Sequence, residues 1–240
     1  MHSPNKAASS FNNHAPYQYC ETTRLNRHSG YFAHLLSTQQ THKGKTMTNP
    51  AMSLDPKTTA LVLIDLQYGI VAMNVQPQTG EQVVGQAKRL AQAFRAAKAP
   101  VVLVSVNTSP DGGDALAPTL DTPPPAAANR PANWATVVAE LDQQPTDIMV
   151  IKRQWGAFYG TELQLQLQRR GIKTIVLAGL STNVGVESTA RDAYERGFDQ
   201  VFVSDAMASP SAEAHANTLK FTFPRMGRIR TTDEVLAALA

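Results

Sequence analysis

The feature that most constrains this chain is a recurrence of short apolar runs ending at polar or glycine residues, separated by stretches with helical period. Thr59 to Asp65 (TALVLID) opens the series; Val101 to Val106, Asp147 to Lys152 (DIMVIK), Thr174 to Gly179 (TIVLAG) and Val201 to Asp205 (VFVSD) continue it. Runs of this length without polar alternation fit strands buried on both faces of a parallel sheet. Between the first two, residues 81–98 place Val84, Ala87, Leu90, Ala91 and Phe94 at helical spacing with Lys and Arg among them, and Pro100 ends the helix. Residues 161–171 (TELQLQLQRRG) predict a helix capped by Thr161 and closed by Gly171, although the LQLQLQ alternation taken alone also fits a strand. Further helices are expected over 135–141, 186–196, 211–220 and 233–239. Strands alternating with helices predict an α/β domain with a parallel sheet, right-handed crossovers and helices on both faces. Ligands of such sheets bind beyond the carboxyl ends of the strands, the edge where Asp65, Lys152, the Leu180 to Gly185 turn and Asp205 fall.

Composition divides the chain at Met47. Residues 1–46 are dominated by Ser, Thr, Asn, Gln, His and Tyr without sustained period, and read as a disordered or mis-started extension; residues 47–240 read as one domain. Charge divides at the same place. The extension carries +4, whereas the domain holds 17 basic and 18 acidic side chains, so the excess positive charge of the chain lies outside the expected fold. No basic face is legible in the domain, and no nucleic-acid partner is expected. A single cysteine, Cys20, excludes an internal disulfide and a paired-cysteine metal site. No apolar run is long enough to span a bilayer and no secretory h-region is present, so a cytoplasmic protein without a membrane partner is expected, although the acid-poor extension loosely resembles an organelle transit peptide.

Three places carry chemistry. Asp65 ends the most hydrophobic run, where burial raises and a nearby cation lowers a carboxyl pKa; a helix cap or turn former is the alternative role. Lys152 ends its own run and, following DIMVI, reaches bulk water only if a cleft opens there. The stretch AGLSTNVGVESTARDA (178–193) turns from strand to helix, which exposes backbone N–H groups to developing negative charge. Gly185 in this turn allows close approach or simply shapes the turn. Glu187, Arg191 and Asp192 read as solvated or structural charges.

The succession ALVLIDLQ (60–67), VIKRQWGAFYGTEL (150–163), LAGLSTNVGVESTARDAYERG (177–197) and VSDAMASPSAEAH (203–215) resembles the isochorismatase-like, or cysteine hydrolase, superfamily over nearly all of residues 55–240. The resemblance implies a three-layer α/β/α fold with a six-stranded parallel sheet. It also implies that Asp65 and Lys152 are catalytic and that Gly185 stands where relatives such as nicotinamidases carry a nucleophilic cysteine. Without that thiolate an acyl-thioenzyme cannot form. Isochorismatases proper resemble this chain in having glycine there, and they hydrolyse a vinyl ether by protonating an alkene carbon, which requires an acid but no nucleophile. By that resemblance Asp65 is the general acid and Lys152 holds the substrate or tunes the acid. The resemblance further implies a cis peptide at Leu180 to Ser181, with the N–H groups of Ser181 and Gly185 pointing into the pocket.

Gln67, Trp155, Phe158 and Tyr159, just beyond the motif positions, are candidate pocket walls, with ordinary packing as the alternative. Ser181 and Asn183 are candidate substrate contacts. Zinc-binding relatives use histidines near the second strand, where this chain has VSVNTSPDGGD; no metal and no cofactor are expected, and His215, the only histidine after Met47, reads as a surface or packing residue. The partner expected is a small-molecule substrate, and the resemblance implies a homodimer or homotetramer. The Pro-rich stretch 107–133 could serve as a lid or an interface arm. A catalytically silent ligand-binding or assembly domain is the competing function. A phosphoacceptor receiver would need an acidic pair ahead of Asp65, which the chain lacks.

Overall fold

Six consecutive apolar residues leave a strand no polar face, and β1 (Thr59–Ile64) is buried along its whole length. In the computed structural model, which describes residues 52–122 and 130–239, it lies inside a six-stranded parallel sheet. The other strands are β2 (Val101–Val106), β3 (Ile148–Lys152), β4 (Thr174–Leu180), β5 (Asp199–Ala208) and β6 (Arg228–Arg230), in the order β3-β2-β1-β4-β5-β6. The extension expected over 1–46 and its junction at Met47 lie outside the described residues.

Because side chains alternate across a strand, the sheet builds two cores. On one face Leu61, Leu63, Leu103, Val176 and Val203 pack against α2 (Gly80–Ala96) and α6 (Thr232–Ala238). On the other, Val62, Ile64, Val104, Leu177 and Phe202 pack against α3 (Leu163–Arg169) and α4 (Glu187–Glu195). The three-layer α/β/α architecture follows. Helix α2 buries Val84, Ala87, Leu90, Ala91 and Phe94, the stripe legible in its period. Its start is closed by a capping box, Thr79 accepting from Gln82 N while the Gln82 side chain accepts from Thr79 N. At the other end Arg95 donates twice to the buried Asp147 carboxylate (2.6 and 3.1 Å) and once to Leu141 O, tying α2 to the chain entering β3. Asp147→Ala leaves the mostly buried guanidinium without its partner, and a loss of about 3 kcal/mol in urea unfolding is expected; an unchanged midpoint would contradict the tie.

Several sequence expectations are corrected. Residues 135–141 form only a 3-10 turn at Ala139–Leu141, because Val137 is held in a bridge to Gln67. Helix α3 begins at Leu163 rather than Thr161; the Thr161 hydroxyl donates to Ala157 O and accepts Leu163 N at 3.2 Å, just ahead of the first turn. The helix expected over 211–220 is α5 (Ala212–Asn217) running into a π turn (Thr218–Thr222). Strand β5 continues past Asp205 through an irregular register, and Asp205 Oδ1 accepts from the N–H and hydroxyl of Thr232. Asp205 thus anchors the start of α6 through Oδ1. Strand β6 and the four-residue α1 (Tyr68–Val71) had no pattern of their own. Among the described residues no helix is long and apolar enough to cross a membrane.

Candidate active site

The strand order reverses direction between β1 and β4, and the carboxyl edge at such a switch point is where sheets of this kind bind ligands. Asp65 leaves β1 there with φ +52°, in the left-handed region that Asp tolerates better than most residues. Lys152 ends β3, two strands away, a separation of about 10 Å between strand axes that a lysine and an aspartate together can span. The Lys152 Nζ donates to Asp65 Oδ2 at 2.7 Å and to Gln154 O at 3.0 Å. Both side chains are buried, Lys152 at 2% and Asp65 at 6% exposure. The cleft that the lysine seemed to need is therefore replaced by direct pairing.

The two carboxylate oxygens differ. Oδ2 receives the ammonium, whereas Oδ1 is buried without any hydrogen-bond partner. Burial pushes the Asp65 carboxyl up to about 6, against the charge and hydrogen bond of Lys152, which hold it down. An acid whose folded pKa lies above its ordinary 3.8 adds stability that is complete below about pH 4 and is lost as pH rises through about 6. Asp65→Asn is expected to flatten that part of the stability profile in urea unfolding followed from pH 4 to 7; an unaltered profile would show that another group is responsible.

Over this pair lies the turn after β4. The Leu180–Ser181 peptide is cis, and Thr182–Val186 form a π turn in which Ser181 O accepts the N–H groups of Val184 and Val186. A Cβ added at Gly185 would stand 3.2 Å from Asp65 Oδ2 and 3.0 Å from Ile64 Cγ2. The glycine thus brings backbone directly onto the carboxylate, in a gap too tight for a side chain to enter without displacement. Thr189 Oγ1 donates to Gly185 O (2.7 Å) and accepts Ala157 N (3.1 Å), joining the turn to the loop that follows Lys152. That loop is shaped in turn by Gln154, whose Nε2 donates to Gly156 O and Tyr159 O.

Of the sequence candidates, Asp65, Lys152 and Gly185 converge. Ser181 starts the turn, and Asn183 Oδ1 accepts from Ser209 Oγ at 2.5 Å. The remaining four have other surroundings. Gln67 is fully buried; its amide pairs with Val106 N and O and reaches Trp134 O, so it clamps the end of β1 to β2 with both amide hydrogens engaged. Phe158 packs in the second core against Phe198, with Arg196 over its ring. Trp155 and Tyr159 stand at the surface, 65% and 75% exposed, rather than closing over the buried pair. Asp114, in the loop after β2, pairs with Arg153 beside Lys152; residues 123–129 of the stretch expected to act as lid or arm lie outside the described residues. Thr189 and Gln154 escaped the sequence reading, the only trace being the placement of Thr189 one helical turn after Gly185. Two surface clefts, of about 510 Å³ beside α4 and about 300 Å³ at the amino edge of β2 and β3, are lined by other residues. Among the described residues no group of three or more His, Cys, Asp or Glu could hold a metal ion.

A doubly wound parallel sheet with a buried acid–lysine pair at its switch point defines an α/β enzyme-like domain. Comparison with known proteins makes this specific. The isochorismatase domain matches residues 59–234. The uncharacterized isochorismatase family protein YecD of Escherichia coli O157:H7 is 52% identical over 188 residues, covering 78% of this chain and all of that one. The ureidoacrylate amidohydrolase RutB of Methylobacterium radiotolerans is 30% identical over 185 residues, 68% of this chain and 72% of that one. Among solved structures, an isochorismatase family protein from Burkholderia thailandensis superposes with a TM-score of 0.75 at 48% identity, covering 79% of this chain and 98% of that one. The chain belongs to the isochorismatase family of hydrolases.

Proposed function

We propose that this chain is a hydrolase that works without a cysteine nucleophile, with Asp65 as general acid, and that vinyl ethers resembling isochorismate are its leading substrate class. The observation that carries the reading is the Asp65 carboxyl itself. Burial pushes it up to about 6, one oxygen is held by Lys152 and the other is buried with no partner, and a glycine stands over it. Since the ammonium occupies Oδ2, the neutral acid carries its proton on Oδ1, the oxygen free to give it away. Lys152 in this reading tunes the acid and fixes which oxygen donates.

The chemistry then runs through one acid and water. The Oδ1 proton adds to the methylene carbon of the vinyl ether while the ether oxygen's electrons form an oxocarbenium ion. Water adds to the cationic carbon and returns a proton to the Asp65 carboxylate. Collapse of the hemiketal releases an alcohol and a ketone, pyruvate if the substrate is an enolpyruvyl ether. The amide chemistry in the name of RutB is disfavoured here, because no thiol stands at position 185 to form an acyl intermediate.

Mass-spectrometric screening of vinyl ethers, amides and imides against the wild type and Asp65→Asn tests the reading. Pyruvate released by the wild type alone supports it; cleavage confined to amides, or binding of the ethers in calorimetry without product, overturns it. Because the protonated acid is the active form, kcat/KM should be level below about pH 6 and then fall about tenfold per unit as pH rises through and beyond the Asp65 pKa. A profile that climbs between pH 5 and 8 would assign Asp65 a basic role instead.

A further inference from the structure

We propose that His215 is a positioning residue, one that braces the 181–187 turn against the Asp65 carboxylate. The inference rests on the reading of that turn as the wall of the reaction site. Residue 185, being glycine, has no side chain with which to hold itself in place, so the turn must be held by its neighbours. A single ten-residue segment does this on one flank. His215 Nδ1 lies 2.8 Å from Thr182 Oγ1, Ser209 Oγ donates to Asn183 Oδ1 at 2.5 Å, and Thr218 Oγ1 donates to Glu187 Oε2 at 2.7 Å. Thr182, Ser209, His215 and Thr218 are all buried. The segment is itself anchored, since Ser209 exchanges two backbone hydrogen bonds with Gln76 in the loop before α2. On the opposite flank Thr189 holds Gly185 O.

The His215 bond matters most among the three because Thr182 directly follows Ser181, whose carbonyl accepts the Val184 and Val186 N–H groups that close the turn. Burial holds the imidazole below its ordinary pKa, so at neutral pH it is uncharged, with one ring nitrogen free to accept and the other to donate. A surface histidine would do none of this. With His215 buried on α5, the geometry departs from that alternative.

The test uses the full chain carrying His215→Phe, Thr182→Val, both together, and His215→Asn, with two readouts. Hydrogen exchange at the Val184 and Val186 amides should quicken about tenfold in His215→Phe and in Thr182→Val, the scale of one lost hydrogen bond. The double variant should add little to either, since both remove the same interaction. On a substrate found by the screen, kcat should fall about tenfold with KM nearly unchanged, as expected when geometry rather than binding is lost. His215→Asn puts Oδ1 where Nδ1 stands and should restore both readouts. Unchanged exchange, unchanged kcat, additive variants or failure of His215→Asn to rescue would each overturn the proposal. The exchange readout is independent of Asp65 chemistry: quickened exchange together with a fully active Asp65→Asn would sink the acid assignment alone and confine His215 to holding the turn.

Discussion

Asp65→Asn is expected to lower kcat/KM by about a hundredfold to ten-thousandfold, the range that a positioned general acid contributes. An amide of the same shape still fits beneath Gly185, but it has no acidic proton for Oδ1 to deliver. The substitution has a second consequence that must be separated from the first. Lys152 is almost wholly buried, and its ammonium would keep only the Gln154 carbonyl and a neutral amide. Breaking a buried pair in this way costs about 3 to 5 kcal/mol unless the survivor loses its proton. The double variant Asp65→Asn with Lys152→Met removes the stranded charge; it should recover much of that stability in urea unfolding and still fail to turn over. Activity returning with stability would show that Asp65 matters to the fold and not to the reaction.

Gly179→Ala is expected to lower stability by about 5 kcal/mol, a third or more of a typical total of 5 to 15. Gly179 sits in β4 opposite Ile64 at φ +118°, a conformation side chains rarely adopt, and a Cβ there would stand 2.1 Å from Ile64 O and 2.6 Å from Ile64 N. Both atoms are backbone of the central strand, so neither can swing aside. Circular dichroism and thermal unfolding decide the matter, and a melting point within a few degrees of wild type would refute the clash. Gly185→Ala is a different case, because its Cβ would meet a methyl at 3.0 Å and the Asp65 carboxylate oxygen at 3.2 Å. The first glycine allows the strands to meet, and the second allows the turn to rest on the acid.

How much of this was legible beforehand depends on what each residue touches. The strands β1, β2, β4 and β5 announced themselves because burial on both faces demands unbroken apolar runs, and the helix stripe of α2 because its partner face is broad. Strand β3 shares the apolar run but lies at the sheet edge with Ile151 54% exposed, which corrects the expectation of burial on both faces there. Strand β6 is three residues, Arg-Ile-Arg, at the sheet margin, where pairing with one neighbour asks for no apolar pattern; its existence came only through family resemblance. The pairing of Asp65 with Lys152 was readable as a shared sheet edge, yet which carboxylate oxygen the lysine takes depends on coordinates. Gln67, two residues past Asp65, and Phe158, six past Lys152, show the limit of adjacency to a motif: a few residues along the chain take a side chain from the site into the clamp or the core. Asp205 ends an apolar run as Asp65 does, but the irregular register of β5 sends it to Thr232. Thr182, Thr189 and His215 look like ordinary helix-edge polar residues in sequence, because their significance lies in partners 4 to 33 residues away.

The measurement that bears most directly on the central claim is turnover by the Cys20→Ser chain, which contains no thiol at all, since Cys20 is the sole cysteine. On the substrate that the screen identifies, this chain should match the wild type in kcat/KM while Asp65→Asn does not. A thiol-free chain that loses its activity, beside an Asp65→Asn chain that keeps it, would contradict the account.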